Sequence, residues 1–291
     1  MKKDRIAQIN ASFVPHRLLS IMGFQEGRVD ISEMLKTQIE VNAVVLRVGI
    51  DSDEEGILRS ESSDLFASVN HLFALSVPAV RQFDGVIDRF MENGFQALFT
   101  NDREDGLRAA IQIRENMLKE QYRFEACSTI GLSYGPVTLG VIGVDDRVSP
   151  VTMSMQTNIA QLLQNKARRY HARILATGSL MEHVPEYALH YGIRMLGEYY
   201  HESSKCRGRI YDVFDGDDLV MRSVKRKTRL LFEKGLNYFL EREFVKARGY
   251  FIEVLKADRT DKAARNYLSL CDSYRSEPPS EDAWALCLER M

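Results

Sequence analysis

The sequence predicts an α+β protein: a ferredoxin-like βαββαβ sheet followed by a small α-helical C-terminal unit. Three observations lead there. Residues 41–215 alternate strand-like and helix-like stretches, an Asn93-Gly94 pair separates two short apolar runs, and residues 218–277 look helical throughout. The 291 residues divide accordingly into an N-terminal lead-in (1–40), the sheet domain (41–217), the helical unit (218–277) and a polar tail (278–291) containing Pro278-Pro279.

Taken in order, Val41 to Val48 is a β-rich apolar run that reads as a buried strand. From Asp64 to Val80, Leu65, Val69, Leu72, Phe73 and Val80 fall at mostly helical spacing, and Pro78 is expected to kink or end the helix. Gly85 to Met91 and Phe95 to Phe99 flank Glu92-Asn93-Gly94 and are expected to form a hairpin, since Asn and Gly accept the positive φ of a type I′ turn. A helix follows from about Asp102 to Lys119, with Leu107, Ala110, Ile111, Arg114 and Leu118 on one side. Cys127 to Tyr134 and Val137 to Val144 are expected as a second hairpin through Gly135-Pro136. Then come a helix over Met155 to Tyr170, a strand at Arg173 to Ala176, and late strands near Ile193 to Tyr200 and Arg209 to Phe214. This order predicts a mostly antiparallel sheet with one layer of helices.

Composition excludes several classes. Lys+Arg number 39 against 41 Asp+Glu, a formal charge of −2 that argues against bulk binding to nucleic acid or an acidic membrane. Apolar residues make up 45% of the chain and run throughout it, which argues against disorder. There is no run of 18 apolar residues for a transmembrane helix, and the first ten residues are too polar for a signal-peptide core. The cysteines (Cys127, Cys206, Cys271, Cys287) form no CxxC pair, and the six histidines show no ligand spacing. The expectation is a cytoplasmic protein with reduced thiols, no nucleic-acid partner and no membrane insertion.

In the C-terminal block, Gly235, Tyr238, Ala247 and Phe251 sit at the spacings of one 34-residue tetratricopeptide unit, with Arg259 in place of its closing Pro. A lone helix pair cannot bury both faces, so it is expected to dock on the preceding domain, on a second copy or on an unidentified protein partner.

The residues Val44-Val45-Leu46, Val86-Ile87-Asp88-Arg89-Phe90, Asn93-Gly94-Phe95-Gln96-Ala97-Leu98-Phe99, Gly131-Leu132-Ser133-Tyr134-Gly135-Pro136-Val137, Arg169-Tyr170-His171-Ala172-Arg173-Ile174-Leu175 and Tyr211-Asp212-Val213-Phe214-Asp215-Gly216-Asp217 resemble the catalytic domain of the class III nucleotidyl (adenylate/guanylate) cyclases, over about residues 13–275. The resemblance implies a sheet of the nucleotide cyclase type, a homodimer, and sites shared between two antiparallel protomers. In that family two aspartates hold two divalent metals, a Lys and an Asp or Thr read the purine, and an Asn and an Arg hold the ribose and triphosphate. The metals and the Arg neutralise the phosphates as the ribose oxygen attacks.

Carried over one at a time, the resemblance sets the first metal aspartate at Gly49 and the second at Asn93. It sets the purine-reading Asp or Thr at Met155, the ribose Asn at Asn158, the Arg at Leu162, and the purine-reading Lys at Glu202. Only Asn158 keeps its residue type. Gly49 has no ligand atom, a neutral amide at Asn93 is a poor substitute for carboxylate on a hard cation, and Arg-to-Leu at 162 removes a fixed charge fork. The expectation is a degenerate, catalytically inactive cyclase-like protein that needs no cofactor and acts as a dimeric regulatory or binding module in intracellular signalling. The alternative is a weak or unconventional cyclase that makes a cyclic nucleotide from ATP or GTP with Mg²⁺ or Mn²⁺. A displaced metal site there would draw on Asp51, Asp53 or Glu92.

Ordinary accounts stand beside these assignments. A type I′ turn explains Asn93, and a solvated helix-start residue explains Asn158. Met155, Asn158 and Leu162 share one helix face, where Met155 and Leu162 either fill a closed cleft or strengthen a dimer or partner contact. Asp51 to Glu55 reads as a solvated acidic loop, and Lys225-Arg226-Lys227 as a solvated linker.

Overall fold

Strand β1 (Gln38–Ile50) lies in the middle of the sheet, and from Ala43 to Ile50 every residue is buried, a continuous run instead of an alternation. Such a strand needs cover on both faces. In the computed structural model, which describes residues 16–24, 31–50, 62–144, 147–201 and 206–277, it has that cover. Val44, Leu46, Val48 and Ile50 enter a core with helices α1 (Ser62–Gln82) and α2 (Arg103–Lys119). Ala43 and Val45 enter another, which includes Ala160 of helix α3 (Met155–Lys166). The expected single helical layer is therefore corrected to two.

The other strands are β2 (Val86–Met91), β3 (Gly94–Phe99), β4 (Ser128–Val144), β5 (Arg147–Met153), β6 (Ile174–Thr177), β7 (Ile193–His201) and β8 (Cys206–Val213). They form one sheet in the order β2-β3-β1-β4-β6-β8-β7, with β5 paired to β4. All pairings are antiparallel except β4 with β6.

Three local expectations are overturned. Gly135-Pro136 is not a turn: β4 runs straight through it for 17 residues, paired along its length with β1. Pro136 falls between the stretch of β4 paired with β6 (130–132) and the stretch paired with β5 (138–144), where β4 has a neighbour on one side only. A residue without an N–H is tolerated there. Pro78 neither ends nor interrupts α1, which continues to Gln82. Pro78 and Ala74 are both exposed, so the carbonyl that the missing N–H leaves falls on the solvent-facing side of the helix. The β2–β3 hairpin is present, but neither Asn93 nor Gly94 has positive φ, so its turn is not type I′. Gly94 is required for a different reason: a Cβ there would overlap the Val48 carbonyl of β1.

The C-terminal unit is three helices, α4 (Leu219–Leu240), α5 (Phe244–Ala257) and α6 (Lys262–Ser276), where the apolar stripes predict a pair. It docks on its own sheet. Phe232, Leu236, Phe251 and Tyr267 share one core with Leu175, Leu196 and Ile210, and the Tyr267 hydroxyl donates to the Leu196 carbonyl at 2.6 Å. Gly235 brings α4 close to α5, since a Cβ there would lie 3.0 Å from Cβ of Tyr250.

A buried charge cluster joins the two parts. Arg194 of β7 pairs with Asp212 of β8 (3.0 Å) and with Asp261 (2.5 Å), the N-cap of α6. Lys225 of α4 pairs with Asp212 (2.9 Å) and Asp217 (2.6 Å). Burial works to raise the Asp261 carboxyl, but the charge and hydrogen bond of Arg194 outweigh it, and Asp261 ends below the usual range. At Asp217 burial wins over Lys225 and the carboxyl is pushed up.

Candidate functional site

Gly49 and Asn93, far apart in sequence, are brought together. Gly49 lies beside Gly94 of β3 on one side and Thr129 of β4 on the other. At the end of β1 the Ile50 N–H donates to the Asn93 carbonyl (2.8 Å), and Asn93 Nδ2 donates to the Ile50 carbonyl (2.9 Å). The amide of Asn93 is thus a structural donor that fastens the hairpin to β1. A carboxylate at this position would set an acceptor against an acceptor.

The space above Gly49 is taken by Gln164 of α3, which the sequence reading missed. A Cβ on Gly49 would lie 3.0 Å from Gln164 Nε2 and 3.1 Å from Oε1. Gln164 is buried; its Nε2 donates to Thr129 Oγ1 (3.0 Å) while Thr129 Oγ1 donates to the Gln164 carbonyl (2.9 Å). Gln164 Oε1 is buried without a partner. The helix sits this low because β4 carries glycine beneath it: a Cβ on Gly131 would overlap the Ala160 carbonyl. Gln156, Ala160 and Gln164, one turn apart, form the stripe facing the sheet, and Ser154 caps the helix by accepting from the Gln156 N–H at 2.9 Å. The glycines of β4 were the available signal, since glycine within a strand marks a close backbone approach.

Met155, Asn158 and Leu162 lie on the opposite side of α3. Met155 and Asn158 are exposed, and Leu162 is half-buried against the core shared with the C-terminal helices. Met155 therefore does not fill a closed cleft in this protomer. Glu202, Asp51 and Asp53 lie outside the described residues.

Arg47, two residues before Gly49 and on the same strand face, is a buried guanidinium. Burial first, and the charge of Arg89 second, lower its pKa; its Nη1 points at Met91 Sδ and its Nε has no partner.

These residues do not fit a pair of divalent cations. Mg²⁺ and Mn²⁺ ask for oxygen ligands with carboxylates among them. Here Gly49 supplies no side chain, Asn93 offers only a neutral amide oxygen in place of a carboxylate, and among the described residues no three His, Cys, Asp or Glu side chains are grouped to hold a metal.

The sheet order, the hairpin against β1 and the helix over β4 define a fold of the class III nucleotidyl cyclase catalytic domain. The chain is 24% identical over 217 residues to the terminal-differentiation-specific adenylate cyclase of Dictyostelium discoideum, a match covering 72% of this chain and 10% of that protein. It is 22% identical over 184 residues to an adenylate cyclase of Anabaena cylindrica, covering 59% of this chain and 36% of that one. This chain thus spans only a fraction of either relative. Among solved structures, a bacterial light-regulated adenylyl cyclase superposes with a TM-score of 0.59 at 16% identity, covering 76% of this chain and 65% of that one. The adenylyl cyclase CyaB from P. aeruginosa superposes at 0.50 and 18% identity, covering 60% and 95%. No protein-family model matches the chain. No helix among the described residues is long and apolar enough to cross a membrane.

Proposed function

We propose that this protein keeps the cyclase fold without its chemistry and acts as a dimeric regulatory or binding module. The observation that carries the proposal is the Gln164 carboxamide standing where a first metal-binding side chain on Gly49 would project. The exchange between Asn93 and Ile50 supports it, because the second position is a neutral amide whose donor a carboxylate could not replace.

A second copy of the chain is the partner this reading implies. Ile142 and Val144 alternate along β4, Met153 pairs in register with Thr138 on the same face, and Met155 follows at the start of α3. All four are exposed; Ile142, Val144 and Met153 lie on the sheet face away from α3 and give an apolar strip there. The C-terminal helices meet their own sheet, so much of the apolar face for which a partner was invoked is covered within the chain.

Isothermal titration with ATP and GTP in the presence of Mn²⁺ or Mg²⁺ is expected to give no metal-dependent binding in the micromolar range. Light scattering is expected to give a dimer that Met153→Asp shifts toward monomer. Metal-dependent nucleotide binding would contradict the loss of chemistry, and a monomeric wild type would contradict the module. The second reading is a weak or unconventional cyclase that makes a cyclic nucleotide from ATP or GTP, and it is raised by the names of the relatives, both adenylate cyclases.

A further inference from the structure

A hollow of about 280 Å³ opens where the sheet meets the C-terminal helices. Its floor is apolar and shared between two cores. Ile193 and Tyr211 belong to the core that holds α1 and α2, Leu236 to the core of the C-terminal helices, and Met195 packs against both. Tyr187, on the short helix Tyr187–His190, closes one side; its ring meets that of Tyr211 edge to face, with centroids 6.0 Å apart. The other side is α4, which contributes Arg229, Glu233 and Asn237 at successive turns.

Arg229 and Glu233 stand at i and i+4 of α4, where opposite charges on a helix commonly meet. Here they do not: both are half-buried, and among the described residues neither has an ion pair. Glu233 instead accepts from the Met195 N–H at 3.3 Å, beside the register shift in the pairing of β7 with β8. Burial pushes the Glu233 carboxyl up, against the pull of that N–H and of Arg229 and Arg194.

Size and charge together select the occupant. Small-molecule sites run from about 300 to 1,000 Å³, so this hollow takes something smaller than a nucleotide. A simple anion would be set against Glu233 and a simple cation against Arg229, each at a cost in a half-buried site. A small zwitterion satisfies both charges, and the floor of Ile193, Met195 and Leu236 receives an apolar side chain.

We infer that this hollow binds a free α-amino acid with an apolar side chain, its carboxylate on Arg229, its ammonium on Glu233 and its side chain over Met195. The walls come from both parts of the chain, so an occupied site ties the C-terminal helices to the sheet. The inference is independent of whether the protein turns over nucleotide.

Isothermal titration of the full chain with L-leucine, L-methionine and L-phenylalanine tests it. At least one is expected to bind with Kd below about 1 mM. The N-acetyl form of that amino acid, which lacks the ammonium, and its amide, which lacks the carboxylate, are each expected to bind at least about tenfold more weakly. Arg229→Gln is expected to weaken the amino acid about tenfold and to leave the amide unchanged. Glu233→Gln, whose amide oxygen still accepts from the Met195 N–H, is expected to weaken the amino acid likewise and to leave the N-acetyl form unchanged. The blocked derivatives probe the same two contacts on wild-type protein, so the result does not depend on either variant folding. The inference is overturned if none of the three amino acids binds, if both blocked derivatives bind as well as the parent, or if both folded variants bind it as well as wild type.

Discussion

Replacing Gly49 by aspartate puts the missing carboxylate back at the position where the resemblance sets the first metal ligand. The structure says what it meets. Its Cβ arrives 3.0–3.1 Å from the Gln164 carboxamide, and Gln164 is buried, so its head must move. Moving it breaks the bond to Thr129 Oγ1, worth about 1–1.5 kcal/mol. Burying the new carboxylate beside Gln164 Oε1, an acceptor without a partner, costs about 2–3 kcal/mol more. Gly49→Asp is therefore expected to destabilise by about 3–5 kcal/mol in urea unfolding followed by circular dichroism. Adding Gln164→Ala to it vacates the space, and a double-mutant cycle is expected to return about 1–3 kcal/mol of coupling. A Gly49→Asp protein as stable as wild type, or a cycle with no coupling, would refute the reasoning.

Three further outcomes follow from the same contacts. Asn93→Asp exchanges a donor to the Ile50 carbonyl for an acceptor and is expected to cost about 1–3 kcal/mol, read from the shift of the urea midpoint. Asp261→Ala removes the α6 cap and strips one partner from buried Arg194, an expected loss of about 3–5 kcal/mol; Asp261→Asn keeps a capping oxygen and is expected to lose about 1 kcal/mol less. With pH, the folded Asp261 lies below its unfolded value, so its contribution is present above about pH 4 and lost as pH falls through the folded pKa. Asp217, raised in the fold, runs the other way and is relieved on acidification. The stability gap between wild type and Asp261→Asn is therefore expected to narrow below about pH 4, measured by denaturation at stepped pH.

Much of the fold was legible in the sequence, because periodicity and apolar runs report burial directly. The run from Val41 to Val48 marks the middle strand, and Asp102 heads α2 as its cap, accepting from the Glu104 N–H at 2.9 Å. What failed was local turn chemistry where tertiary pairing decides. Gly135-Pro136 reads as a turn, yet β1 pairs across it, and the same misreading hid β5. Asn93-Gly94 gave the hairpin but for the wrong reason, since close approach to Val48 and not positive φ fixes the glycine. At the candidate site the resemblance supplied Gly49 and Asn93, and the fold makes them neighbours. Gln164 was harder to find, because nothing in its own segment says that it will lie over Gly49, 115 residues upstream, and only the glycines of β4 mark the close approach of its helix. The charge cluster was equally hidden: Arg194, Asp212, Lys225 and Asp261 are unremarkable one by one, and only the docking of the helices on the sheet buries them together.

The most direct measurement is turnover by the purified full chain, with ATP and then GTP at millimolar concentration, Mn²⁺ or Mg²⁺, and cyclic nucleotide read by mass spectrometry. The account predicts no product above a no-protein blank with either nucleotide and either metal. Cyclic AMP or cyclic GMP that accumulates in proportion to protein and disappears with EDTA would contradict it.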